Sequence, residues 1–107
     1  MTGTQALLSR LGIARTYLGE RYMITAVEMV LEDEECLLYV TKQLYPKIAK
    51  QHQTTAACVE KNLRTAIKIC WEHGNRRLLN EMAGYVLPKK PKTSEFIDLL
   101  ASYIRRG

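Results

Sequence analysis

The sequence predicts an all-α fold, a compact bundle of about six to seven helices containing one close helix pair. Three observations carry that expectation. Apolar residues recur at i, i+3, i+4 and i+7 in successive segments. No stretch alternates polar and apolar residues in the manner of a half-buried strand. Glycine, proline, threonine and serine fall between the periodic segments, where helices begin and end.

A first short helix is expected over Thr4–Leu11, with Leu7, Leu8 and Leu11 on one side and Gly12 after it. The second runs from about Thr16 to Glu32, and Tyr22, Ala26, Met29 and Val30 form its core stripe. A third, about 35–43, supplies Leu37, Leu38 and Val40, with Glu34 and Glu35 at its positive end. Pro46 fits the first turn of a fourth, ending near His52, because its missing N–H costs nothing there. The fifth spans about Ala56 to His73, with Gly74 as a left-handed stop. A sixth covers about Arg76 to Ala83 and stops at Gly84. The run YVLPKKPK holds two prolines and reads as an exposed loop. Thr93 or Ser94 caps a last helix whose Phe96, Ile97, Leu100, Ala101 and Ile104 face inward.

Composition bounds the function. The 107 residues predict one domain over 1–107, large enough to bury a core without disulfides or metal. Cys36, Cys58 and Cys70 are odd in number and lack close pairing, so they read as reduced thiols acting as small hydrophobes. No apolar run approaches the roughly 20 residues of a membrane span. The N-terminus lacks the basic head and long apolar stretch of a secretory leader. A cytoplasmic location with no membrane partner is therefore expected. The formal net charge is +5 and unevenly spread. Residues 42–68 carry Lys42, Lys47, Lys50, Lys61, Arg64 and Lys68 against the single acid Glu60. Residues 28–35 carry Glu28, Glu32, Asp33, Glu34 and Glu35 with no base. Such segregation fits one face for a polyanion and another turned away from it, or else two solvated helix surfaces.

No enzyme and no cofactor are expected. His52 and His73 lie apart, without a nucleophile or acid at catalytic spacing. His52, in a turn, is expected to meet phosphate or solvent, and His73 to cap a helix end. The acids at 32–35 lack the spacing of a calcium loop. Trp71 is expected to anchor the core.

The chemistry concentrates in Ile48–Cys70. Ala49, Thr55 and Val59 have the spacing of a helix-turn-helix. A small residue stands where two backbones approach, a cap starts the second helix, and an apolar residue pins it. Gln53 occupies the turn position often held by glycine. Val59, Leu63, Ala66, Ile67 and Cys70 form one apolar stripe, and Ala57, Glu60, Lys61, Arg64 and Thr65 lie on the other side, with Lys68 a turn further. Two ordinary amphipathic helices sharing a core would show the same stripe. If the pair does read double-stranded DNA, Lys61 and Arg64 are candidate donors to guanine O6 or N7, and Glu60 a candidate acceptor from cytosine N4. Thr65 is a candidate base or phosphate contact, and Thr55, Ala57 and Cys58 are further candidate DNA-binding residues. Lys47, Lys50 and Lys68 are phosphate anchors that fix register without reading sequence.

The run VTKQLYPKIAKQHQTTAACVEKNLRTAIKICWEHGN carries T-K-x-L-Y-P-x-I-A-K, T-T-x-x-x-V-E, R-x-A-I and W-x-x-G-N in order. With A-x-x-M-V-x-E-D at 26–33, Gly84-Tyr85 and SEFI at 94–97, it resembles the C-terminal effector domain of the stage-zero sporulation protein A family of endospore-forming bacteria, over roughly residues 12–106. The resemblance implies a six-helix DNA-binding transcription regulator whose helices 45–52 and 56–73 form the reading pair. It also implies a possible homodimer on tandem sites, with the last helix or segment 76–85 at the contacts, and contact with the RNA polymerase sigma factor. The family places a phosphoacceptor receiver domain ahead of this one. Residues 1–11 are too few for a receiver, so a fragment or a stand-alone relative is expected. The family's base-reading stretch is Glu-Arg-Ala-Ile-Arg-His, where this chain has Glu60, Lys61, Asn62, Leu63, Arg64 and Thr65. Lys61 thus replaces an arginine and Thr65 a histidine, and Cys58 stands where the family tends to carry another arginine. Lysine lacks the planar fork of arginine, so a related but shifted or relaxed site is expected. The rival reading is a helical protein-interaction module that has lost specific DNA binding.

Overall fold

The computed structural model describes residues 3–14 and 17–107. Among them are six α-helices and no strand: α1 Gly3–Leu11, α2 Leu18–Glu32, α3 Tyr45–Gln51, α4 Ala56–His73, α5 Arg76–Ala83 and α6 Thr93–Arg106. The all-α expectation holds. Thr16, the expected start of the second helix, lies outside the described residues.

One contiguous apolar core joins all six helices. α1 contributes Leu7, Leu8 and Leu11, and α6 contributes Phe96, Ile97, Leu100 and Ala101, each buried. Burying one such large side chain stabilises the fold by about 1.5–3 kcal/mol. α2 lies at the centre, packed against both α4 and α6. Its Tyr22, Met23, Ala26, Val27 and Val30 are buried. Gly19 permits the approach to α4, because a Cβ there would stand 2.5 Å from the Asn62 carbonyl oxygen.

The expected third helix is not one helix. The chain forms a 3-10 turn over Glu34–Leu37 and a π turn over Val40–Leu44. Tyr39 separates them with non-helical angles, φ −132° and ψ 58°. Cys36 and Leu44, rather than Leu38, are buried. Leu38 is 72% exposed. A uniform helical period would bury Leu37 and Leu38 together, but the break rotates Leu38 outward and returns Leu44 to the core.

Gly74 also differs from expectation. Its φ is −91°, an ordinary extended conformation, and a side chain is excluded by space instead. A Cβ would fall 2.2 Å from the Leu11 carbonyl oxygen and 2.6 Å from that of Cys70. Gly84 does take the left-handed conformation, at φ 85°, and closes α5. Beyond it, the Leu87 N–H donates to the Asn80 side-chain oxygen at 3.0 Å, tethering the loop to α5. α6 is preceded by Lys92, not capped by Thr93 or Ser94. The Glu95 carboxylate accepts from the Lys92 N–H at 3.1 Å.

Candidate nucleic-acid interface

The helix pair forms as its spacing demands. Ala49 and Val59 are buried, and Thr55 caps α4 by accepting from the Cys58 N–H at 3.1 Å. The turn closes with Thr54 N–H donating to the Ala49 carbonyl at 2.9 Å. Gln53 meets the geometry usually given to glycine, with φ +55°. That conformation is strained for a residue with a Cβ.

Two anchors hold the pair against α2. The His52 Nε2 lies 2.7 Å from the Thr25 hydroxyl, and its ring meets Tyr22 edge-on at 5.1 Å between centroids. His52 is thus half-buried and engaged, not turned to solvent or phosphate as its place in a turn implied. The Tyr22 hydroxyl then reaches the Cys58 thiol of α4 at 3.8 Å. Neither Tyr22 nor Thr25 is signalled by the helix-turn-helix pattern, since both belong to a distant helix.

On α4, Val59, Leu63, Ala66, Ile67 and Cys70 are all buried, as the stripe predicts. Ala57, Lys61, Arg64, Thr65 and Lys68 are exposed, and Glu60 is partly so. Arg64 and Glu60 form an ion pair at 2.7 Å, with the arginine side chain 70% exposed. At that exposure the pair contributes little stability, but it gives the guanidinium a preferred direction. The Thr65 hydroxyl donates to the Lys61 carbonyl at 2.9 Å, which leaves its oxygen as an acceptor. Ala57, Glu60, Lys61, Arg64 and Thr65 together line a shallow hollow of about 390 Å³ on the face of the helix.

Cys58 sits on the flank toward α2 instead. Hydrogen bonds from Thr54, Tyr22 and Asn62, and the charge of Lys61, hold its thiol below the usual range. Asn62 spends its amide on the Cys58 carbonyl at 2.8 Å. Lys47 and Lys50 are exposed on α3, and neither they nor Lys61 and Lys68 form an ion pair among the described residues.

Glu34, from the acidic run, lies at the C-terminal end of α6. Arg105, in the last turn of α6, pairs with Glu34 and donates to the Val30 carbonyl at 2.9 Å. The first turn of α6 adjoins Arg64 and Glu60. Fourteen helical residues span about 21 Å, so Glu34 and Arg64 stand beside opposite ends of a helix of that length.

Trp71 is half-buried against the core, and the Arg76 guanidinium covers its ring at 3.5 Å to the centroid. Arg76 also donates to the Trp71 carbonyl at 2.6 Å, joining α4 to α5. His73 ends α4, exposed, 4.0 Å from Glu72. Among the described residues no group of three or more histidine, cysteine or acidic side chains converges as a metal site, and no helix is long and apolar enough to cross a membrane.

A family profile described as the C-terminal domain of sporulation initiation factor Spo0A matches residues 4–104. That span overlaps all six helices, from α1 to most of α6. The chain therefore belongs to the Spo0A C-terminal family of DNA-binding effector domains.

Proposed function

We propose that this chain is a sequence-specific transcription regulator that reads the major groove of double-stranded DNA with α4. The carrying observation is the outward face of the helix. Lys61 and Arg64 are exposed on its first turns, while the apolar stripe behind them is fully buried. A major groove about 12 Å wide admits a helix presented in this way. Arg64, directed by Glu60, is the donor best placed for guanine O6 and N7. The second carboxylate oxygen of Glu60 accepts from cytosine N4. Thr65, its hydroxyl proton spent on the helix backbone, offers an acceptor or a methyl contact to thymine. Thr55 keeps its own hydroxyl proton for a phosphate, and Lys47, Lys50 and Lys68 neutralise further phosphates. Ala57 leaves room for the close approach of the groove edge, and Cys58 supports the helix from behind.

Lys61 and Thr65, in place of the family's arginine and histidine, relax readout at their steps rather than abolish it. Dimerisation on tandem sites and contact with a sigma factor would use the segment after α5, where Tyr85 and Val86 are 62% and 78% exposed. A chain acting in this way works on the chromosome, in the cytoplasm.

Selection of bound duplexes from a random pool tests the reading. A recovered consensus that loses one or two defined positions in Arg64→Ala supports it. Recovery of unrelated sequences, with Arg64→Ala indistinguishable from wild type, rejects it in favour of a protein-interaction module.

A further inference from the structure

A second groove, of about 550 Å³, runs along the flank of α4. Its floor and walls come from three parts of the chain distant in sequence: Tyr45 and the π turn, Glu60, Arg64 and Ile67 of α4, and Lys90–Ser94 before and within α6. Three cations, Arg64, Lys90 and Lys92, face it against one carboxylate, Glu60, which already pairs with Arg64 at 2.7 Å. Lys90 and Lys92 are exposed and have no ion pair among the described residues. Between them Pro91 is buried, so the lysine pair is fastened to the domain rather than carried on a free loop. The hydroxyls of Thr41, Thr93 and Ser94 line the same groove.

We infer that this groove takes the DNA backbone, with Lys90 and Lys92 binding phosphates of the strand that passes along the Glu60–Arg64 flank of α4. The inference rests on the reading of α4 as the groove-reading helix. A helix lying in the major groove is bordered on each side by a phosphate strand, so cations held beside it, rather than on it, meet phosphate and not base edges. Arg64 belongs to both hollows, and the second therefore continues the reading surface sideways. The π turn contributes indirectly: it brings Val40 and Thr41 to the rim and so gives the groove its far wall. Charge rather than base identity sets this contact, and it should be insensitive to sequence.

The test is a salt series of duplex binding, read by fluorescence anisotropy, for wild type, Lys90→Ala/Lys92→Ala and Lys90→Arg/Lys92→Arg. Each phosphate contact contributes about −0.9 to the slope of log K against log salt. The double alanine variant should therefore lose about 1.8 from the slope. It should weaken on the selected duplex and on a scrambled one by the same factor, and should melt as wild type does. The double arginine variant should keep the wild-type slope, as should Lys89→Ala, whose lysine lies outside the groove. An unchanged slope and affinity in a normally melting double alanine variant would overturn the inference while leaving the reading of α4 intact. A loss confined to the selected duplex would overturn it equally, since that marks base readout. If wild type binds neither duplex in dilute buffer, the reading of α4 fails and the inference with it.

Discussion

Replacing Gly19 by alanine tests how tightly α2 fixes the reading helix. The new Cβ would sit 2.5 Å from the Asn62 carbonyl oxygen and 2.8 Å from the Ala66 Cβ. Ordinary van der Waals contact starts near 3.4 Å, so α2 and α4 would have to part by about 0.6 to 0.9 Å at this point. Neither neighbour can rotate aside, one being helix backbone and the other a methyl without rotamers. Overpacking of this kind costs about 1–3 kcal/mol. At an open helical position the same change would instead gain up to about 1 kcal/mol, because alanine is the better helix former. The sign of the effect therefore separates the two situations. A net loss of about 1–2 kcal/mol lowers the melting temperature by roughly 4–16 °C in a domain of this size. Urea denaturation should show the same loss as a reduced midpoint at constant slope. Adding Ala66→Gly should recover only part of it, since the contact with the Asn62 carbonyl remains. A Gly19→Ala variant as stable as wild type, or more so, would refute the close approach.

Three further outcomes follow from individual side chains. Thr55→Ala removes the cap of α4 and should cost about 0.5–2 kcal/mol in chemical denaturation, with weakened duplex binding. An alkylating reagent should modify one cysteine rapidly in the folded protein, and Cys58→Ser should abolish that fast phase. Thr54, Tyr22 and Asn62 hold this thiol below its usual range, whereas Cys36 and Cys70 are buried. Burial pushes the Cys70 thiol up to about 11, from an ordinary value near 9. Its neutral form is favoured in the folded state, so its contribution is intact below pH 9 and is lost as pH rises toward 11. Stability measured across that window should fall more steeply in wild type than in Cys70→Ala.

Much of this architecture is written in local pattern. The stripe of α4, its Thr55 cap and its limits at Ala56 and His73 all follow from spacing, because an amphipathic helix advertises its buried face in its own residues. What escapes is set by contacts between distant residues. Gly74 reads as a left-handed stop, yet its smallness serves the Leu11 carbonyl from another helix. His52 looks free in its turn, but Thr25 and Tyr22 engage it from α2. The break at Tyr39 overrides a helical period that Leu37 and Leu38 support on their own. The Lys90–Lys92 wall reads as a solvated loop until buried Pro91 and the first turn of α6 set it beside Arg64. Charge separation between residues 42–68 and 28–35 is visible in the sequence, but only the fold sets Glu34 and Arg64 beside opposite ends of α6.

The account rests on DNA meeting the outward face of α4, and amide NMR during titration with a selected duplex observes that contact residue by residue. Shifts should concentrate in Thr55–Lys68, in the turn and lysines of α3, and in Lys90–Lys92, with residues 28–35 unmoved. Resonances that stay in place throughout, or shifts centred on the acidic end around Glu34 and Arg105, would contradict it.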